Sequence, residues 1–369
     1  MRVYSKEVKA GFILKEDVFV SKNVPLLKKD TVLEESHLEI LEVFLVESVE
    51  IVGTGSLLEK ENSQNERSSE NSSSEVNQES SLASSKTSLF LYRYKQAVTT
   101  FTKLSREWVN KEKVDSKKLE GFFTGLVEEM DKIPPIPLFL NQYSIKEDYP
   151  YHHAVSTGLL SYFISKKMGY TPKESIQIAE AAALCDVGML KIGRSHLDNK
   201  GILTEKEYEI VKKHPYVSYK MVRENIASNE MVLAVLQHHE REDGSGYPTG
   251  VKSDQIHPFS QIVAVADAYH AMTTNRPYRL GQSPFKAVED ISLKNFGKFS
   301  PKVTETLLES LITLSTGLTV KLNNGKKGKI VFIDDKAPSC PVICMEDTEK
   351  VIQLSAKDLY TIKEVVVWR

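Results

Sequence analysis

Cysteine is scarce in this 369-residue chain: Cys185, Cys340 and Cys344 are the only three, and an odd, small number gives no disulfide framework. Cys340 and Cys344, in CPVIC, suggest a metal pair, yet no second pair stands nearby to complete four ligands. No apolar run approaches the roughly 18 to 20 residues of a membrane span. The opening MRVYSKEVKAG has no hydrophobic signal core, so the expectation is a cytoplasmic protein without membrane insertion. A basic excess is also missing: 48 Lys and Arg against 50 Asp and Glu leave a net charge of −2, which disfavours a nucleic-acid polymer as partner.

What is present is ordinary for a soluble globular protein, with 41% hydrophobic and 27% charged residues. The length exceeds one compact core and predicts two or three domains. A break is visible at Glu59 to Ser88, which holds eleven serines and almost nothing apolar, and reads as a disordered linker. Before it, residues 1–58 read as a small α+β module: a strand, a turn, a short amphipathic helix opened near Glu35 and Ser36, and a strand ending at Val52. This module carries no catalytic cluster and no cofactor fingerprint, so a regulatory, docking or dimerisation role is expected for it, with signalling proteins or a second copy as partners.

After the linker the periodicity becomes helical. Segments 89–111 and 115–132 have apolar residues at three and four spacing, the second stopped by Pro134 and Pro135, and the helical pattern continues from Tyr149 to about Gly317. Residues 318–369 return to alternation around an Asn-Gly turn in TVKLNNGKKGKIVFID, a small antiparallel appendage. The fold class is therefore mainly α, a helical domain over 89–317 between two small pieces.

Five stretches of the helical domain place His, Asp or Cys at intervals of about one helix and its connection: YPYHHAV, LCDVG, KKHPY, QHHERE and VADAY. Five of the nine histidines fall in them. A capping box from Thr171 to Glu174 opens one helix, in which Ile176, Ala179, Ala183 and Asp186 follow at three and four spacing, placing Asp186 on a buried face. Val263 with Asp267, and Val235 with His239, repeat the arrangement. An unpaired buried carboxylate is expensive, and a metal ion is its natural partner. Neighbouring helical positions point about 100° apart, so His238 and His239 suit two adjacent ions better than one. Imidazoles with carboxylates fit Fe, Mn, Zn, Ni or Co rather than an oxygen-only Ca or Mg cage.

The stretch HHEREDGSGYPTG matches HHE followed by DGxGYP, and VADAYHAMTTNRPYR resembles ADxYDAxTxxRPYR. KGILTEKEYEIVKKHP and YPYHHAV resemble KxGxLTxEExxxIxxHP and YTYxHSxxVA. With their order and spacing, from about Glu147 to Leu311, the helical domain resembles the HD-GYP family of HD phosphohydrolases, whose members typically hydrolyse cyclic di-GMP. The resemblance implies two divalent transition-metal ions, Fe or Mn first, held by His153, Cys185, Asp186, His214, His238, His239 and Asp267, with Asp186 bridging and catalytic. It also implies a substrate rim formed by Gly244, Gly246, Tyr247 and Pro248, with Arg276 steadying that loop or a phosphate.

Three positions depart from the family pattern. Cys185 replaces the family's namesake His, so one imidazole ligand becomes a thiol. Met189 stands where a phosphate-contacting Lys is common, and Lys191, two residues on, is the candidate compensating cation. Tyr149 replaces the Glu of members with a third metal, so at most two ions are expected. The reading is a metal-dependent phosphodiesterase opening cyclic di-GMP to pGpG or GMP. A degenerate domain that binds the nucleotide or a protein is the alternative.

Overall fold

Short alternating runs at the start of the chain form short strands. The computed structural model describes residues 2–21, 24–27, 29–33, 37–38, 41, 46–54, 74–111, 113–119, 121–192, 204–276, 280–355 and 361–366. The first strands are β1 (Arg2–Tyr4), β2 (Phe12–Leu14), β3 (Val18–Ser21), β4 (Val24–Leu27) and β5 (Ser48–Thr54). β5 lies between β1 and β2 in an antiparallel sheet, with Val3 opposite Val49 and Leu14 opposite Ile51, while β3 pairs with β4. Val3, Leu14, Leu27, Leu33, Leu41 and Ile51 are buried together as the core of this piece. Of the amphipathic helix expected after Glu35, His37, Leu38 and Leu41 are helical and the rest lies outside the described residues.

The chain divides into two compact units, one within Met1–Gln96 and one at Ala97–Val367. Residues 59–73 of the expected linker lie outside the described residues, but from Ser74 onward the chain is helical: α1 runs Ser74–Lys111. Ser74 to Ser88 were thus expected to be disordered and instead extend the helix that begins, by periodicity, at Leu89. Propagation adds one hydrogen bond per residue once a turn exists, and Glu75, Gln78, Glu79, Leu82 and Ala83 are all good helix formers.

The helix expected over 115–132 is split into α2 (Ser116–Leu119) and α3 (Thr124–Asp131), because Gly121 between them has φ +73 and ends the right-handed path. Next come α4 (Tyr149–Lys167), α5 (Pro172–Leu184), α6 (Val187–Ile192), α7 (Glu205–Val211) and α8 (His214–Val222), then α9 (Asn229–Gln237), α10 (Pro258–Thr273), α11 (Pro284–Glu289) and α12 (Pro301–Ser315). α4 is buried along nearly its whole length, Tyr151 through Ser165, and packs against α5, α10 and α12. Its neighbours come close at Gly158, where a Cβ would stand 2.4 Å from the Phe123 ring and 2.9 Å from the Ala179 carbonyl. The expected capping box opens α5: Glu174 N–H donates to Thr171 Oγ1 and Thr171 N–H to Glu174 Oε2, at 3.3 and 2.9 Å.

The tail forms one antiparallel sheet of β6 (Thr319–Leu322), β7 (Lys327–Phe332), β8 (Val342–Met345), β9 (Val351–Gln353) and β10 (Ile362–Val366), in the order β10-β6-β7-β8-β9. Gly325, in the Asn-Gly turn between β6 and β7, takes the left-handed φ of +84 that such turns need. This sheet belongs to the same compact unit as the helices. Gln142 Nε2 donates to the Val365 carbonyl at 3.2 Å, and Ser339 Oγ donates to Glu289 Oε1 at 2.6 Å.

Candidate functional site

Six of the seven expected ligands converge in the helical unit. His153 lies within α4 and Asp267 within α10, two helices packed on each other. His214 is the first residue of α8, while His238 and His239 follow the last turn of α9. Asp186 occupies the turn between α5 and α6, past the helix whose phase predicted it. It is not on a buried helical face, and its side chain is 30% exposed. The corner turns it toward a cavity.

Two donor groups result: Asp186 with His214, His238 and His239, and His153 with Asp186 and Asp267. Within each, one donor atom per residue lies within 4.8 Å of the others, and Asp186 belongs to both. His214 Nε2 is 3.1 Å from Asp186 Oδ1, and His153 Nε2 is 2.8 Å from Asp267 Oδ1. Backbone carbonyls orient two of the rings. His214 Nδ1–H donates to Val211 C=O at 2.7 Å and His238 Nδ1–H to Val235 C=O at 2.9 Å. A carbonyl only accepts, so each ring presents Nε2 to the site, and the two Nε2 atoms stand 3.2 Å apart. Two lone pairs at that distance repel unless a proton or a metal ion lies between them. The donors present therefore fit a metal, with the outer carbonyls that metal-binding histidines use.

The electrostatics agree. Burial alone would raise both carboxyls, but the hydrogen bonds from His214 to Asp186 and from His153 to Asp267 outweigh it and hold both acids well below the usual carboxylate range. Burial opposes charge on His214, yet Asp186 raises that imidazole above its ordinary value. Burial pushes His238 down to about 4, with His214 adding to the effect, and pushes His239 well down.

These shifts predict acid lability of the metal-free protein. His152 and His238 are each lowered from 6.5 to about 4, chiefly by burial, so the unfolded chain binds protons in that window that the folded chain does not. Stability present above pH 6.5 is lost as the pH falls toward 4. His214 acts in the opposite sense, favouring the fold below its ordinary value, but it is one ring against several. A thermal melt of chelated protein should show Tm falling from pH 6.5 to pH 4, less steeply in His152→Gln; a flat profile would contradict the assignment.

A cavity of about 310 Å³ lies over the donors, lined also by Tyr149, Met189, Tyr247 and Arg276. Tyr149 stacks on His153 with ring centres 5.2 Å apart, and the Arg276 guanidinium lies 4.7 Å from the Tyr149 ring centre. Tyr247 lies against His239, ring centres 4.7 Å apart. Gly244, Gly246 and Pro248 do not line this cavity and instead shape the loop that delivers Tyr247. Gly244 has φ +80, and a Cβ on Gly246 would meet Glu240 Cα and Arg241 N at 2.4 Å.

Two expected residues are placed elsewhere. Cys185 is outside both donor groups: buried, its Sγ–H donates to the Ala181 carbonyl at 3.3 Å and faces that of Ala234 at 3.8 Å. Burial, with Asp186 and Asp267, pushes its thiol well up, the opposite of a ligating thiolate. Lys191 does not line the cavity either, but a separate hollow with Val217 and Lys220, because positions 189 and 191 point about 200° apart on a helix and Met189 takes the cavity side.

Sequence reasoning passed over two residues. Glu240, buried inside the HHE motif, accepts from Thr249 N–H and Oγ1–H at 2.7 and 2.6 Å and from Gly250 N–H at 3.0 Å, tying the loop closed. His270 stands where the pattern ADxYDAxT has Asp, and its Nδ1 is 2.8 Å from His153 Nδ1. Comparing VADAYHAMT with that pattern would have singled it out.

A family profile described as HD domain matches residues 141–303. Cyclic di-GMP phosphodiesterase PdeB of Borreliella burgdorferi is 30% identical over 199 residues, 54% of this chain and 52% of that protein. A cyclic di-GMP phosphodiesterase of Thermotoga maritima is 34% identical over 198 residues, 52% of each. Residues 141–303 thus carry an HD domain, and the helical unit is similar to these phosphodiesterases. A third relative, cyclic di-GMP phosphodiesterase PA4108 of Pseudomonas aeruginosa, is 29% identical over 213 residues, 56% of this chain and 51% of that protein. The chain thus spans about half the length of the curated relatives it matches. HD-type phosphohydrolases are metal-dependent, and this domain has His and Asp clusters that could hold metal. Among the described residues, no helix is long and apolar enough to cross a membrane.

Proposed function

We propose that this chain is a metal-dependent phosphodiesterase that hydrolyses cyclic di-GMP to pGpG or GMP in bacterial signalling, in the cytoplasm. The observation that carries the reading is Asp186, shared by two donor groups at the floor of one cavity. That is the arrangement of a carboxylate between two ions, with Fe or Mn as the first choice for these donors and Zn, Ni or Co also compatible. Such ions, when bound, supply an activated hydroxide and offset charge developing on the phosphate. The chain's own residues do the rest. Asp186 and Asp267 stay ionised, and the Val211 and Val235 carbonyls keep Nε2 of His214 and His238 aimed inward. Arg276, on its Tyr149 platform, offers a guanidinium to a phosphate oxygen, and Tyr247 covers His239 at the rim.

Cys185 turned away and Met189 in the cavity support a second reading, a domain that binds cyclic di-GMP or a protein partner without cleaving it. Anaerobically purified protein, supplied with Mn or Fe(II) and cyclic di-GMP, separates the two by chromatography of the products. Linear pGpG or GMP sustains the hydrolase. Intact nucleotide retained by the protein favours the binding module. In the same preparation Cys185→Ala should keep wild-type metal content, since the thiol faces carbonyls; loss of one equivalent would restore Cys185 as a ligand.

A further inference from the structure

Behind His153, on the side away from the cavity, lies a polar pair. His270, on α10, is buried, and its Nδ1 stands 2.8 Å from His153 Nδ1. Its other nitrogen, Nε2, is 3.2 Å from the hydroxyl of Thr274, also buried. The Thr274 N–H donates to the His270 carbonyl at 3.1 Å, which fixes the hydroxyl one turn beyond the ring. A nitrogen pair at 2.8 Å requires one donor and one acceptor, and only one proton arrangement suits a His153 that offers Nε2 to an ion. His153 Nε2 is hydrogen-bonded to Asp267 Oδ1 at 2.8 Å, and when an ion takes that nitrogen in place of its proton, the proton of His153 sits on Nδ1 and is donated to His270 Nδ1. His270 in turn carries its proton on Nε2 and donates it to Thr274 Oγ1.

We propose that His270, braced by Thr274, is a positioning residue that selects the tautomer of His153 and aims its Nε2 into the His153, Asp186 and Asp267 group. This rests on the metal reading of the site and adds to it the residue on which the three-donor group depends. The four-donor group has its own second partners in the carbonyls of Val211 and Val235. At His153 the Nδ1 partner is instead the His270 ring. Outer partners of metal-binding imidazoles are worth roughly 10- to 100-fold in affinity, so one group should respond to changes at position 270 and the other should not.

The test uses full-length protein labelled with ¹⁵N in histidine, titrated with zinc alone, with His153 assigned by loss of its signals in His153→Gln. Two-bond ¹H–¹⁵N spectra of the zinc-loaded wild type should show His153 protonated on Nδ1 and His270 on Nε2. His270→Phe should weaken the second zinc equivalent roughly 10- to 100-fold while leaving the first unchanged. His270→Asn and His270→Asp, which keep an acceptor of similar reach, should restore it and also cover the case in which the Phe variant does not fold. The proposal is overturned if His270 carries its proton on Nδ1, or if zinc binds in both steps as in wild type when position 270 has no acceptor. No zinc binding at all would instead remove the metal reading, and this inference with it.

Discussion

Asp186→Ala should eliminate hydrolysis of cyclic di-GMP and metal retention together. The carboxylate is the one residue common to both donor groups, and it also fixes His214 at 3.1 Å. Its removal leaves three imidazoles on one side and a two-donor remnant on the other. Metal-assisted chemistry draws several kcal/mol from the bound ions, so the expected fall in kcat/KM is on the order of a thousandfold or more. Metal content after dialysis should fall with it, while the fold persists, because Asp186 sits at a corner open to the cavity and not inside a helix packing face. Turnover close to wild type in this variant would mean that hydrolysis, if present, runs at another place in the molecule. Asp186→Asn separates charge from shape: an amide keeps the volume but not the anion, and should lose nearly as much.

The second large effect concerns stability and the loop together. Glu240 is 2% exposed and accepts from two backbone N–H groups and a hydroxyl across the loop of residues 241–250. Glu240→Ala deletes hydrogen bonds to a buried carboxylate, worth roughly 1.5–3 kcal/mol for a bond to a charged group and less here, because Thr249 and Gly250 are exposed and water can accept from them. A total of roughly 3 kcal/mol is expected in denaturant melts, with a rise in KM because Tyr247 loses its fixed position beside His239. Glu240→Gln should be milder, since one oxygen remains to accept while the amide nitrogen faces Gly250 N–H. An unchanged midpoint in both variants would show that the loop is held by its own turns and not by this carboxylate.

Much of this site was legible because helical phase is a strong constraint. His153, His214, His238, His239 and Asp267 stood out by spacing and residue type, and two ions were suggested by the adjacency of His238 and His239, whereas the sharing of Asp186 between them came from the family resemblance. Phase misled at Asp186, since periodicity continues on paper past Leu184 while the chain turns a corner there. It could not settle Cys185 either. A thiol is short, and whether it points to the cavity or to the Ala181 and Ala234 carbonyls is decided by packing between α5 and α9. Lys191 failed for a rotational reason, standing two positions from Met189 on a six-residue helix. Composition misled once, at Ser74 to Ser88, where a serine-rich stretch continues a helix nucleated further on. Glu240 and His270 were hidden because each acts through partners distant in the sequence, Thr249 and Gly250 for one and His153 for the other.

The burial of α4 along fifteen consecutive residues, Tyr151 to Ser165, has a consequence for how this unit breathes. An element enclosed on every side cannot fray independently, so its amides exchange only when most of the unit opens, whereas turns at helix ends open at far lower cost. His153 rides on that slowest element, and His238, His239 and Asp186 ride on corners. The two halves of the donor set are therefore expected at different levels of the local-unfolding hierarchy, with amides around His153 exchanging more slowly than those at the corners.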